Sequence, residues 1–140
     1  MDKKRGQLNL SFGMIFSIIL IIVFLGAAFY AIQQFLSFQS NLQTQKFYSS
    51  LQSDVNTAWT STEASTPATY IVPSGVKQVC FTNNQNGNVY FVEKIPQLGQ
   101  YIDHLNITKD YCENVTNGKV QFLIQKNFGE PLVNVRPVGA

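Results

Sequence analysis

The chain is 140 residues long with a formal net charge of +2, which allows one modest domain and excludes the broad basic field of a nucleic-acid binder. Charged residues make up 13% of it and hydrophobic ones 45%. The charged share falls well below the roughly 25% usual in soluble domains, so the apolar residues must be gathered in part of the chain.

Lys3, Lys4 and Arg5 form a tight basic cluster, followed by Gly6-Gln7 and a short polar patch. Residues 12–32, FGMIFSIILIIVFLGAAFYAI, carry no charge and no proline. About 21 residues at 1.5 Å rise match a hydrocarbon core of about 30 Å, which predicts a transmembrane helix. A cleaved secretory signal has an apolar region of only about 7 to 15 residues before a small-residue cut. Gly26, Ala27 and Ala28 offer such a place, but Phe29, Tyr30, Ile32 and Phe35 carry the run past it, so retention is expected. No basic residue follows Arg5 until Lys46, so the positive-inside rule places the N-terminus in the cytoplasm and the remainder outside.

Beyond the membrane, Phe47, Leu51, Val55 and Trp59 recur every four residues among polar ones, so one continuous helix is expected from about residue 10 to about residue 59. Its apolar stripe can pack on the chain's own globular domain or on other subunits. Residues 60–67, TSTEASTP, break the helix with small polar residues and a proline and mark the junction to a different structure.

After Pro67 the period changes. ATYIVP, VKQVCFT, NVYFVEK, HLNIT, KVQFLIQ and PLVNVRP are short runs of β-formers separated by Gly, Pro and Asn breaks, which predicts an antiparallel sheet of roughly four to six strands. TNNQNGNV at 82–89 is a hairpin loop because Asn and Gly accept positive φ cheaply, and Asn117-Gly118 is a second turn. The fold class is therefore α+β, a long N-terminal helix with a membrane-spanning first half and a small antiparallel β-sheet head. A head of about 70 residues is small for an independent core, so it should lean on the helix or be stapled. Cys80 and Cys112, the only cysteines, lie beyond the span, where disulfides persist. A bridge closing about 30 residues stabilises by roughly 3 to 4 kcal/mol in the chain-entropy model. Two buried free thiols are the alternative, and one His with two distant cysteines lacks a zinc spacing.

Asn106-Ile-Thr108 and Asn114-Val-Thr116 are N-glycosylation sequons in the exterior part. Asn9-Leu-Ser11 fits the same pattern at the cytoplasmic end of the span. Catalytic residues are sparse: one His and eight scattered carboxylates, with no hydrolase, metalloprotease, phosphate-loop or dinucleotide motif. Asp103-His104 cannot act as a pair if strand neighbours point to opposite faces; His104 is expected as an exposed polar residue near a turn. No enzyme activity, cofactor or metal is expected. Tyr90, Tyr101 and Tyr111 could contact other surfaces, although strand aromatics usually pack sheets.

Lys3-Lys4-Arg5-Gly6-Gln7, a polar patch and a long apolar helix together resemble the class III signal of archaeal type IV pilin-like proteins. The resemblance implies that a prepilin-type peptidase cuts between Gly6 and Gln7 and that the helix becomes the core of a filament. The family pattern places Ser and then Glu after the Gln. Here Asn9 stands for the Ser and Ser11 for the Glu. The family's Glu pairs with the new N-terminal amine of a neighbouring subunit, so here the amine would need another acceptor, such as the Asn9 or Ser11 oxygen. The expected organisation is a leader at 1–6, a transmembrane or filament-core helix at 7–33, an extracytoplasmic amphipathic helix and linker at 34–66, and the β head at 67–140. The partners implied are the membrane, like subunits and the peptidase, with no nucleic acid. Two alternatives are an uncleaved single-pass surface protein whose β-domain binds a partner, and a secreted β-domain released after Ala28.

Overall fold

The computed structural model describes residues 11–92 and 99–139. The basic cluster Lys3, Lys4 and Arg5, the Gly6-Gln7 step and Asn9 therefore lie outside the described residues. Helix α1 covers Phe12–Thr60. Ser11 stands just before it, with its carbonyl accepting the Met14 and Ile15 amides at 2.8 and 3.4 Å. That is the N-cap position, where serine is favoured because its hydroxyl can serve free amides of the first turn. The chain forms two compact units, Met1–Phe38 and Gln39–Ala140.

In the second unit the remainder of α1 joins six strands: β1 Ala64–Ile71, β2 Gln78–Phe81, β3 Val89–Val92, β4 Tyr111–Asn114, β5 Lys119–Lys126 and β6 Asn134–Pro137. The α+β expectation holds. The strands make two three-stranded antiparallel sheets, ordered β1-β5-β6 and β3-β2-β4. β5 shows the period-2 pattern of a half-buried strand, with Val120, Phe122 and Ile124 inward. These residues meet Tyr70 of β1, Val79 and Phe81 of β2, and Val89 and Phe91 of β3 in one core. The helix contributes Phe47, Tyr48, Leu51, Val55 and Ala58 to it, with Leu51 and Val55 fully buried. The stripe on α1 thus packs on its own head. Trp59, its fourth expected member, is 39% exposed.

Helix α1 ends where expected. Its last carbonyls have no basic residue in the final turn to meet them; instead Lys126 of β5 donates to the Trp59 and Ser61 carbonyls at 2.5 and 2.8 Å. A cation there satisfies free carbonyls and opposes the helix dipole.

The junction is shorter than expected, because Ala64–Ile71 is already strand and contains Pro67. The register explains why the proline is tolerated. Val72 donates to the Gly118 carbonyl at 3.0 Å, one step beyond the β1–β5 ladder. Hydrogen-bonded and non-bonded pairs alternate, so Tyr70, Ala68 and Thr66 also face β5. Pro67 falls in the other set, where its missing N–H lies on the open edge of the sheet.

Two further expectations are corrected. HLNIT forms no strand: His104 has φ of 67°, and only an isolated bridge joins Leu105 to Val133. The fourth strand is instead Tyr111–Asn114, and the disulfide locates it. In the β2–β4 register Cys80 faces Cys112, and the Val115 amide donates to Lys77 at 2.9 Å. By the same alternation the cysteines form a non-bonded pair, the kind whose side chains stand closest. Their Cα atoms are 4.0 Å apart and the disulfide is formed.

Both expected turns are present. Asn117 and Gly118 have φ of 52° and 71°, the two positive values of a type I′ turn, closed by paired bonds between Thr116 and Lys119. In the 82–89 loop no residue has positive φ. Gly87 is required there for space, since a Cβ would lie 2.7 Å from the Gly99 backbone.

Candidate functional site

The first unit offers one surface, the exposed helix. From Gly6 to Gln45 no Asp, Glu, Lys or Arg occurs, and every residue at 12–38 is exposed. The helix is long and apolar enough to cross a membrane. Two of its polar side chains bond within it. Ser17, the one polar side chain between Phe12 and Phe29, donates to the Gly13 carbonyl at 2.8 Å. Such a bond removes most of the cost of a hydroxyl in hydrocarbon. Gln34 donates to the Tyr30 hydroxyl at 3.2 Å. An added side chain at Gly26 meets nothing within 4 Å, so that face is open to close approach by another helix.

Of the residues singled out for processing and assembly, only Ser11 is described. It is exposed and stands at the N-cap position of α1, and it brings no negative charge to the helix start.

On the head, the two sequons differ in their surroundings. Asn106 is half-buried; its amide N–H donates to the Val133 carbonyl at 2.8 Å and its Nδ2 to Asn134 Oδ1 at 3.1 Å. Asn114 is exposed at the end of edge strand β4, and its Oδ1 accepts from Gln78 Nε2 at 2.8 Å. Thr108 and Thr116 are both exposed.

His104 is half-buried rather than exposed. Its ring stacks on Trp59 with centroids 3.8 Å apart and planes at 15°, and its Nδ1 lies 3.4 Å from Asn56 Oδ1. Trp59 Nε1 donates to the Pro131 carbonyl at 3.1 Å, so the pair ties the end of α1 to the loops at 103–104 and 131. Among the three tyrosines, Tyr111 is half-buried and stacks on Phe81, with centroids 6.0 Å apart, and its hydroxyl donates to Glu113. Tyr90 is half-buried and Tyr101 is exposed.

Two structural pairs gave no signal in the sequence. Asn88 is buried and clasps the Ile102 backbone, donating from Nδ2 to its carbonyl at 2.8 Å and accepting its amide at 2.7 Å. Tyr70 is buried and donates to Asp54 Oδ2 at 2.5 Å. Burial first, then the hydrogen bond and charge of Asp54, push the Tyr70 hydroxyl well above the usual tyrosine range. The groove along α1 and β1, lined by Lys46, Phe47, Ser50, Asp54, Thr69 and Tyr70, thus presents a carboxylate already engaged by a neighbour. Among the described residues no group of three or more His, Cys, Asp or Glu stands together in a metal-binding arrangement.

No family model matches the chain, and neither does any curated protein or any solved structure.

Proposed function

We propose that the chain is a structural subunit of an archaeal type IV pilus-like surface filament, cut by a prepilin-type peptidase after Gly6 and assembled through α1. The supporting observation is a contrast along one helix. Phe47, Tyr48, Leu51, Val55 and Ala58 of α1 are consumed by the head's own core, whereas 12–38 are exposed on every side and uncharged. A helix apolar all round is stable only among lipids or among other helices. A filament subunit meets both environments in turn, lipid before assembly and like helices afterwards. In this reading the head lies outside the cell, with its disulfide in an oxidising compartment and glycans on its surface.

One observation favours a second reading. Ser11 leaves the helix start without the carboxylate that would balance a new N-terminal amine, which suits an uncleaved, single-pass anchored surface protein. N-terminal peptide and intact-mass analysis of native membrane and shed-filament fractions separates the two. A chain beginning at Gln7 in the shed fraction is the expected result. A chain beginning at Met1 and confined to membranes would sink the filament reading and leave the anchor.

A further inference from the structure

We infer that Asn114 carries an N-linked oligosaccharide and that Asn106, with the same sequon chemistry, stays bare as a structural residue. The inference rests on the reading that the head lies outside the cell, and it adds which asparagine is used and what the sugar covers.

Asn114 and Thr116 are both exposed. Gln78 donates to Asn114 Oδ1, which holds the amide by its oxygen and leaves Nδ2 free to carry a substituent. Attachment needs an oligosaccharide activated on a lipid phosphate. The Nδ2–C1 bond forms, the bond from C1 to the phosphate oxygen breaks, and one amide proton leaves with the lipid phosphate. The Gln78 bond survives, because the oxygen is untouched.

At Asn106 the reacting atom is the one already in use. Its Nδ2 points at Asn134 of β6, in a groove whose other walls include Phe81, Ile107, Tyr111 and Val135. The backbone of Asn106 is also bonded to Val133. A sugar on that nitrogen would have to displace the contact between the 104–108 segment and β6.

The position of Asn114 gives its glycan a physical role. In the β2–β4 register Asn114 faces Gln78 and Cys112 faces Cys80. Both are non-bonded pairs, so the N–H and C=O groups of Cys112 and Asn114 point away from β2, to the outer side of that sheet. Such an edge is a template for pairing with another chain. A bulky, hydrated substituent at Asn114 stands beside those groups and blocks them.

The test is glycopeptide mass spectrometry on the full chain from the cells that make it, with Asn114→Gln, Thr116→Ala, Asn106→Gln and Thr108→Ala variants. Protease accessibility on intact cells and the oxidation state of Cys80–Cys112 are read on the same samples. The expected result is one glycan mass on the Asn114 peptide, lost in Asn114→Gln and Thr116→Ala and kept in Asn106→Gln and Thr108→Ala. Thr108→Ala destroys the sequon while leaving the Asn106 hydrogen bonds, so misfolding of Asn106→Gln does not blur the outcome. A glycan on Asn106, or a bare Asn114 in an oxidised and externally accessible head, overturns the inference alone. A head shielded from protease on intact cells overturns the topology and the inference with it.

Discussion

Tyr70 and Asp54 show how a single buried hydroxyl can set the alkaline limit of the head. The folded state holds the Tyr70 proton more tightly than the unfolded chain does, whose tyrosine titrates near 10. Above that value the unfolded state binds fewer protons, so stability falls as pH rises. The contribution is fully present below about pH 10. Tyr70→Phe removes the titrating group, and Asp54 is exposed, so water can replace the lost partner at a cost near the roughly 1 kcal/mol of an ordinary hydrogen bond. The expected outcome is a slightly lower melting temperature for Tyr70→Phe at neutral pH and a flatter decline between about pH 10 and 11.5. Thermal melts of both proteins across that range check it; parallel declines would show that the folded head holds the Tyr70 proton no more tightly than the unfolded chain does.

At the scale of elements, α1 supplies a wall of the head, and the division of the chain at Phe38 and Gln39 makes that testable. A fragment Gln39–Ala140 retains every residue that is buried among those described and is expected to be soluble and folded, with dispersed amide signals in NMR. A fragment starting at residue 61 loses Phe47, Leu51 and Val55. At about 1.5–3 kcal/mol each they contribute roughly 5 to 9 kcal/mol, comparable with the whole stability of a domain at about 5–15 kcal/mol. That fragment is expected to lack dispersed signals even with its disulfide formed; a folded spectrum would show that the sheets suffice alone. These helix residues were legible in the sequence because four-residue spacing survives any tertiary context. Strand β4 was not, because Tyr111-Cys-Glu-Asn carries one large apolar side chain and owes its place to Cys80 across the sheet. HLNIT imitated a strand because Leu105 and Ile107 do pack on the core, while the positive φ at His104 has no local signature. Pro67 read as a breaker because its edge position depends on the register with β5. The two sequons are equivalent as text. Asn134 and Gln78, which distinguish them, lie 28 and 36 residues away.

For the whole molecule, the question is whether α1 meets lipid alone or other helices as well, and Gly26-Ala27-Ala28 gives a way to ask it. Three successive positions stand about 100° apart around a helix, so they sample most of its circumference. Gly26→Leu, Ala27→Leu and Ala28→Leu all make the segment more apolar, which favours membrane insertion. They also lie outside the head's core, so folding and anchoring should be unchanged. Helix packing responds differently, because close approach between helices depends on small residues at the contact. Each 1.4 kcal/mol lost per contact lowers association about tenfold. The expected outcome is a wild-type amount of each variant in the membrane fraction, with at least one of the three giving about tenfold less shed filament. Quantitative immunoblots of membrane and shed fractions, with electron microscopy of the latter, provide the measurement. If all three variants shed filaments at the wild-type level, the small residues do not face neighbouring helices and assembly through this part of α1 is refuted. If the wild type sheds no filament, the exposed helix serves as an anchor, and the apolar surface at 12–38 is covered by lipid alone.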